Sequence, residues 1–319
     1  MTIRKAEGVV ARPRATAAVK PRARRRKGQR SAYLFLIPWM AGALLVTIGP
    51  MLASLVLSFT NYNLLGSPQF VGAQNYKQMF TSDPRFWHAS GVTLEYVVIG
   101  VPLQLALALA VAMLLNRGLR GMSFYRSFYY LPSLLGSSVA VALLWRQIFG
   151  ADGLVNQALA LVGFHHLPNW VADPTWSLGT LVALHVWAFG SPMVIFLAGL
   201  RQVPAQLYEA AAVDGAGAWR RFSSITIPML SPVVFFNLIL QMISAFQTFT
   251  QAYVVSGGTG GPVDSTLFFS LYLYQRAFTD FDMGYASAMA WVLLVVIGLF
   301  TWLAFATSGR WVFYEGEKE

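Results

Sequence analysis

The chain of 319 residues contains no cysteine. Disulfide frameworks, thiolate metal sites and cysteine nucleophiles are therefore excluded. Charge is scarce too: 11% of residues are Asp, Glu, Lys or Arg, against roughly a quarter in ordinary soluble domains. No Gly-x-x-x-x-Gly-Lys-[Ser/Thr] sequence occurs, and the glycine-rich run Gly257–Pro262 lacks the following lysine, so no P-loop phosphate cradle is encoded. No His/Asp/Glu cluster has metal-ligand spacing, and no nucleophile–base pair is visible. What is plentiful is apolar: 56% of residues are hydrophobic and the mean hydropathy is +0.54. A soluble enzyme of conventional composition does not fit these figures.

The net charge of +10 invites a polyanion partner, but its position argues otherwise. Residues 1–30 hold 11 Lys/Arg and a single acid, Glu7; the remaining 289 residues hold 12 basic and 12 acidic residues. The tail has Pro13, Pro21, many Ala and Arg and no apolar periodicity, which predicts disorder. Without interleaved aromatics it lacks the stacking platform of a nucleic-acid binder. We expect it to set topology and touch anionic lipid headgroups, with no nucleic-acid partner. The apolar run that follows, from Ala32 to about Phe59, exceeds a signal-peptide core and reads as an uncleaved first span.

A helix needs about 20 apolar residues to cross a bilayer. The sparsely charged intervals place six candidates near 32–59, 93–115, 127–145, 177–200, 231–255 and 285–308. The uncharged stretch 153–172 carries Asn156, Gln157, His165, His166, Pro168 and Asn169, and is read as an external interfacial segment. With the tail inside, inner loops hold Arg117, Arg120, Arg126, Arg201, Arg220, Arg221, Arg310 and Lys318, whereas outer loops hold Lys77, Arg85, Arg146 and Arg276. That asymmetry puts both termini, including 311–319, in the cytoplasm of a multi-pass plasma-membrane protein.

The loop 201–230 is patterned. Pro204 suits the first turn of a helix, 205–213 is rich in helix formers, and Gly215 can end the helix in a left-handed conformation. A second short helix is expected through Trp219 and Phe222, with Pro228 and Pro232 breaking the chain before span five. A groove-docking hairpin and a hairpin packed on the membrane face fit these residues equally well.

Here a resemblance becomes specific. Glu209-Ala210-Ala211, Asp214-Gly215-Ala216, Phe222, Ile225, Pro228 and Pro232 match the spaced pattern EAAxxDGAxxxxxFxxIxLPxxxP, with Ile227 where Leu is usual. The chain thus resembles the permease subunits of binding-protein-dependent ABC importers. Phe59–Asn63, Gly72, Asn75-Tyr76 and Gly260-Gly261-Pro262 are similar to the maltose and glycerol-3-phosphate importers among them. The resemblance implies an all-α MetI-like transmembrane domain of six spans over 31–310. Residues 205–226 would be coupling helices docking in a cytoplasmic ATPase, with contacts from Glu209, Ala210, Ala211, Asp214, Gly215, Ala216, Phe222, Ile225 and Pro228. It further implies a second permease chain of different sequence, two ATPase copies and an extracellular substrate-binding protein. No cofactor would be bound by this chain, ATP and Mg lying on the ATPase. The pore subunit would itself be no enzyme.

Polar residues inside spans are costly and face pathways or neighbouring helices. Span five carries Asn237, Gln241, Ser244, Thr248 and Gln251 at steps of 4, 3, 4 and 3, one face of an unbroken helix, flanked by Gln247 and Thr250. Uncharged amides and hydroxyls suit a sugar, oligosaccharide or polyol; the alternative is interhelical hydrogen bonding. Span four adds Trp187 as a stacking platform, Ser191, and His185 as either a ligand or a structural residue. A secondary transporter or a non-transporting scaffold is the competing function, and a secondary transporter would usually carry ionisable residues near the midplane.

Overall fold

The computed structural model describes residues 35–117, 121–136, 138–164 and 167–313. The basic tail, His165, His166 and residues 314–319 lie outside them. The described residues form helices and no strand element, apart from an isolated bridge between Thr60 and Phe70. The described residues divide into two compact units, 35–53, which holds most of the first helix, and 54–313, which holds the rest of the fold. The elements are α1 (Phe35–Leu57), α2 (Gln74–Thr81), α3 (Pro84–Asn116), α4 (Met122–Leu135), α5 (Val139–Ile148), α6 (Leu154–Leu161), α7 (Ser177–Trp187), α8 (Gly190–Leu200), α9 (Ala205–Val213), α10 (Ala218–Phe246), α11 (Thr250–Ser256), α12 (Phe269–Tyr274) and α13 (Met283–Ser308).

Among the described residues four helices, α1, α3, α10 and α13, are long and apolar enough to cross a membrane. Two bent pairs, α4 with α5 and α7 with α8, raise the number of candidate spans to six. The helix α3 is longer than the interval 93–115. Its 33 residues rise about 50 Å, well beyond the ~30 Å apolar core of a bilayer. The eight residues of α6 rise only about 12 Å, too little to cross.

The expected third and fourth spans are not single helices. The axes of α4 and α5 differ by 96°, and those of α7 and α8 by 42°. Ser138 starts α5 as an N-cap, its hydroxyl accepting from Val141 N at 3.3 Å. At the second break Pro192 has no N–H to give the Ala188 carbonyl one turn earlier.

Two prolines expected to stop the chain before span five do not. The helix α10 runs from Ala218 through Pro228 and Pro232 to Phe246. Residues Phe222–Thr226 are wound as a π-turn, in which Ile227 N donates to Phe222 O, five residues back. This widened turn lies just ahead of Pro228 and takes up the missing donor and the ring. Pro232 leaves the Pro228 carbonyl without its helical donor. The Ser231 hydroxyl supplies one at 2.6 Å, and Ser231 Oγ in turn accepts from Phe313 N at 2.8 Å.

The core of the larger unit is built on α3, which packs along α7, α8 and α10. Phe196, Leu181, Met193, Leu230, Met289 and Tyr285 are among its fully buried side chains. At the end away from α9, Asp83 ties three elements together. It caps α3 by accepting from Phe86 N at 3.1 Å, and it accepts from the hydroxyls of Tyr272 at 2.6 Å and Tyr285 at 2.5 Å. Arg276 lies over the Tyr285 ring and pairs with Asp282 at 2.6 Å. Nearby, Arg85 holds Asp264 at 2.8 Å.

Candidate functional site

A cavity of about 290 Å³ opens where α3, α4, the α7–α8 break and the end of α10 meet. No Asp, Glu, Lys or Arg lines it. Tyr96 and Gln104 come from α3, Ser133 and Gly136 from the end of α4, and His185, Ala188 and Ser191 from the break. Gln241 and Ser244 come from α10, with Thr248 and Gln251 just beyond it.

The site is polar because broken helices expose backbone that the apolar surroundings cannot satisfy. The Ala188 carbonyl, deprived of a donor by Pro192, accepts from Gln104 Nε2 at 3.1 Å and Ser133 Oγ at 2.9 Å. Gln104 Nε2 also donates to His185 O at 3.0 Å, and Ser191 N donates to Ser133 Oγ at 2.8 Å. Gln251 Nε2 donates to Gly136 O at 3.1 Å. Two buried atoms at the wall remain unpartnered: Gln104 Oε1 and His185 Nε2.

The polar row expected on span five is only partly one face. The helix α10 ends at Phe246 because Thr248 N turns back to Ala245 O at 3.2 Å and Phe249 leaves helical backbone with φ −132°. Thr248 and Gln251 therefore reach the cavity from beyond the break, alongside Gln241 and Ser244 on the helix and Ser191 on α8. Asn237 lies outside the wall, fully buried, with neither amide atom partnered. Gln247 is exposed and outside the wall. Trp187 does not line it either; its ring packs against Trp145 with centroids 5.9 Å apart. Sequence reasoning overlooked Tyr96, Gln104 and Ser133. Gln104 carried a readable signal, being an isolated amide in the apolar stretch between Pro102 and Asn116.

The patterned loop forms a hairpin at the opposite end from Asp83. Glu209, Ala210 and Ala211 lie on α9, and Asp214 is its C-cap. Gly215, at φ +74°, takes the left-handed turn. Ala216 N reaches Ala211 O at 2.8 Å and Gly215 N reaches Ala212 O at 3.1 Å, the paired bonds of a Schellman motif. Phe222, Ile225 and Pro228 follow on α10, half-buried. The Tyr208 and Thr226 hydroxyls lie 2.9 Å apart and tie α9 to α10. No residue of α9 is buried, and Val213 and Trp219 are 88% and 76% exposed. Among the described residues no group of three or more His, Asp or Glu could hold a metal ion.

Residues 104–311 match the family described as binding-protein-dependent transport system inner membrane component. The probable ABC transporter permease protein YesP of Bacillus subtilis is 52% identical over 294 residues, 92% of this chain and 95% of that protein. The lactose transport system permease protein LacF of Rhizobium radiobacter is 34% identical, over 86% of this chain and 93% of its own length. In structure, a chain of a bacterial alginate ABC transporter, solved with its alginate-bound periplasmic protein, superposes with a TM-score of 0.76 at 20% identity, covering 89% of this chain and 96% of that one. Span content and this superposition agree on the MetI-like fold.

Proposed function

Since the chain belongs to the family of binding-protein-dependent transport system inner membrane components, we propose that the cavity beside α3 is the part of its translocation path that holds an uncharged, hydroxyl-rich cargo. The chain is a multi-pass membrane permease subunit of an ABC importer. It is a pore component, not an enzyme, and the competing roles of secondary transporter and scaffold fall away. The cargo is a sugar, an oligosaccharide or a related polyol, rather than a charged glycerol-phosphate compound. One observation carries this: the cavity presents the amides and hydroxyls of Gln241, Ser244, Thr248, Gln251 and Ser191, with no Asp, Glu, Lys or Arg in its wall. The name of one relative, a lactose transport system permease, supports the same class.

The exposed hairpin of Glu209, Ala210, Ala211, Asp214, Gly215 and Ala216, with Phe222, Ile225 and Pro228 behind it, docks on an ATPase subunit. Its exposed Val213 and Trp219 supply apolar contact. The positive-inside asymmetry supports placing this hairpin and both termini in the cytoplasm of a bacterial cell. One chain supplies half a pore. A second permease, two ATPase copies and an extracellular binding protein complete the importer, with ATP and Mg held by the ATPase. The test is uptake of radiolabelled sugars into proteoliposomes holding that assembly. Gln241→Leu and Gln251→Leu should each lower sugar uptake about tenfold while the ATPase still co-purifies. Uptake that survives both substitutions removes the cavity from the path.

A further inference from the structure

We propose that Gln104 and His185 form a hydroxyl-reading pair on the α3–α7 side of the cavity, where one cargo hydroxyl donates to Gln104 Oε1 and accepts from His185 Nε2–H. This rests on the reading above that the cavity holds a hydroxyl-rich cargo, and it assigns the selectivity to residues outside the span-five row. Both atoms are buried, both belong to residues lining the cavity, and neither has a partner. Gln104 is 2% exposed, and its amide orientation is fixed because Nε2 already serves the carbonyls of His185 and Ala188. That leaves Oε1 as an acceptor only. A buried acceptor and a buried ring nitrogen left unmade are costly. A hydroxyl is both donor and acceptor, the group whose chemistry matches an acceptor and an N–H together.

The imidazole is seated for this role. Tyr96, Gly100 and Gln104 fall at i, i+4 and i+8, one face of α3. The His185 ring lies against Tyr96 with centroids 5.2 Å apart. It fits over Gly100 so closely that a Cβ there would stand 3.2 Å from His185 Cδ2, the carbon bonded to Nε2. Gly100 is thus the space in which the ring stands, and Gln104 one turn on is its companion.

The experiment uses the whole importer in proteoliposomes, with radiolabelled lactose, maltotriose and raffinose and the monodeoxy analogues of each as probes. Wild type is expected to discriminate about tenfold in KM against one monodeoxy analogue of the sugar it takes up, the yield of one hydrogen-bonded hydroxyl. His185→Phe should raise KM for the parent sugar to the level of that analogue and abolish the discrimination, with the effect on KM rather than kcat. His185→Gln, which returns an N–H near the position of Nε2, should restore it. Gln104→Met also removes the clamp on the span-four break, so Gly100→Ala serves as the second arm. It leaves the amide in place and crowds only the ring, and should lose the same discrimination. Uptake of none of the three sugars by wild type overturns the sugar reading of the cavity and this pair with it. Uptake with the discrimination unchanged in His185→Phe and Gly100→Ala leaves the cavity reading standing and overturns the pair.

Discussion

Asp83 gathers three hydrogen-bond donors, from the Phe86 N–H and the hydroxyls of Tyr272 and Tyr285. Burial raises its carboxyl pKa, but the hydroxyls of Tyr272 and Tyr285, the Phe86 N–H and the charge of Arg276 outweigh that and leave it below the ordinary carboxylate value. A depressed folded value means stability that is present above the unfolded value, near pH 4, and is lost as pH falls through the folded one. Asp83→Asn should cost about 1.5–3 kcal/mol, the range for bonds to a charged acceptor. It should also flatten the acid side of the thermal-unfolding profile in nanodiscs, read by tryptophan fluorescence. An unaltered acid profile in the variant would falsify the role of this carboxylate. None of this was legible in the sequence, because Tyr272 and Tyr285 lie 189 and 202 residues from Asp83 and a tyrosine near a membrane edge reads first as an interfacial anchor. Gln104 was more nearly legible: a solitary amide in an apolar run has to find a partner somewhere. The sequence could not show that its partners are backbone carbonyls freed eighty residues later.

At the scale of elements, long uncharged intervals translate directly into helices such as α13, where nothing interrupts the hydrocarbon-compatible run. The breaks were harder to read. Prolines at 228 and 232 look like stops, yet a π-turn and one serine hydroxyl let α10 continue, while a stretch with no proline at all, Gln247–Phe249, ends it. Proline reports a missing donor, and only the tertiary surroundings decide whether another group replaces it. Ser231→Ala tests this. It strips a donor from the Pro228 carbonyl and an acceptor from Phe313 N, and should destabilise the protein by about 1–3 kcal/mol in thermal unfolding. The hairpin is the element where pattern and conformation agree most closely, since Gly215 stands where the left-handed turn is required. Gly215→Pro cannot adopt φ +74° and should abolish ATP-driven uptake while the protein still inserts and purifies. Glu209→Lys should do the same through charge. Normal uptake by either variant in proteoliposomes counts against docking through this hairpin.

For the whole molecule, the charge of +10 on an apolar chain resolves into a basic tail and an electrically neutral body, and the body shows why. At the cavity, the backbone freed by the helix breaks is answered with amides and hydroxyls rather than ions. A subunit of this kind should hydrolyse no ATP when purified alone, and should gain hydrolysis only when co-purified with an ATPase chain through the α9–α10 hairpin. Retention of that ATPase by a variant lacking residues 205–216 counts against the assignment. The continuity of α10 then has a mechanical meaning. One rod carries the Trp219–Phe222 hairpin arm at its first turns and Gln241 and Ser244 near its last, about 35 Å apart at 1.5 Å per residue. A helix that stays continuous through its π-turn and both prolines converts displacement at one end into displacement or rotation at the other. The stroke of the motor would therefore reach the cavity wall by leverage rather than through a relay of side-chain contacts, and a flexible insertion in mid-helix would idle it.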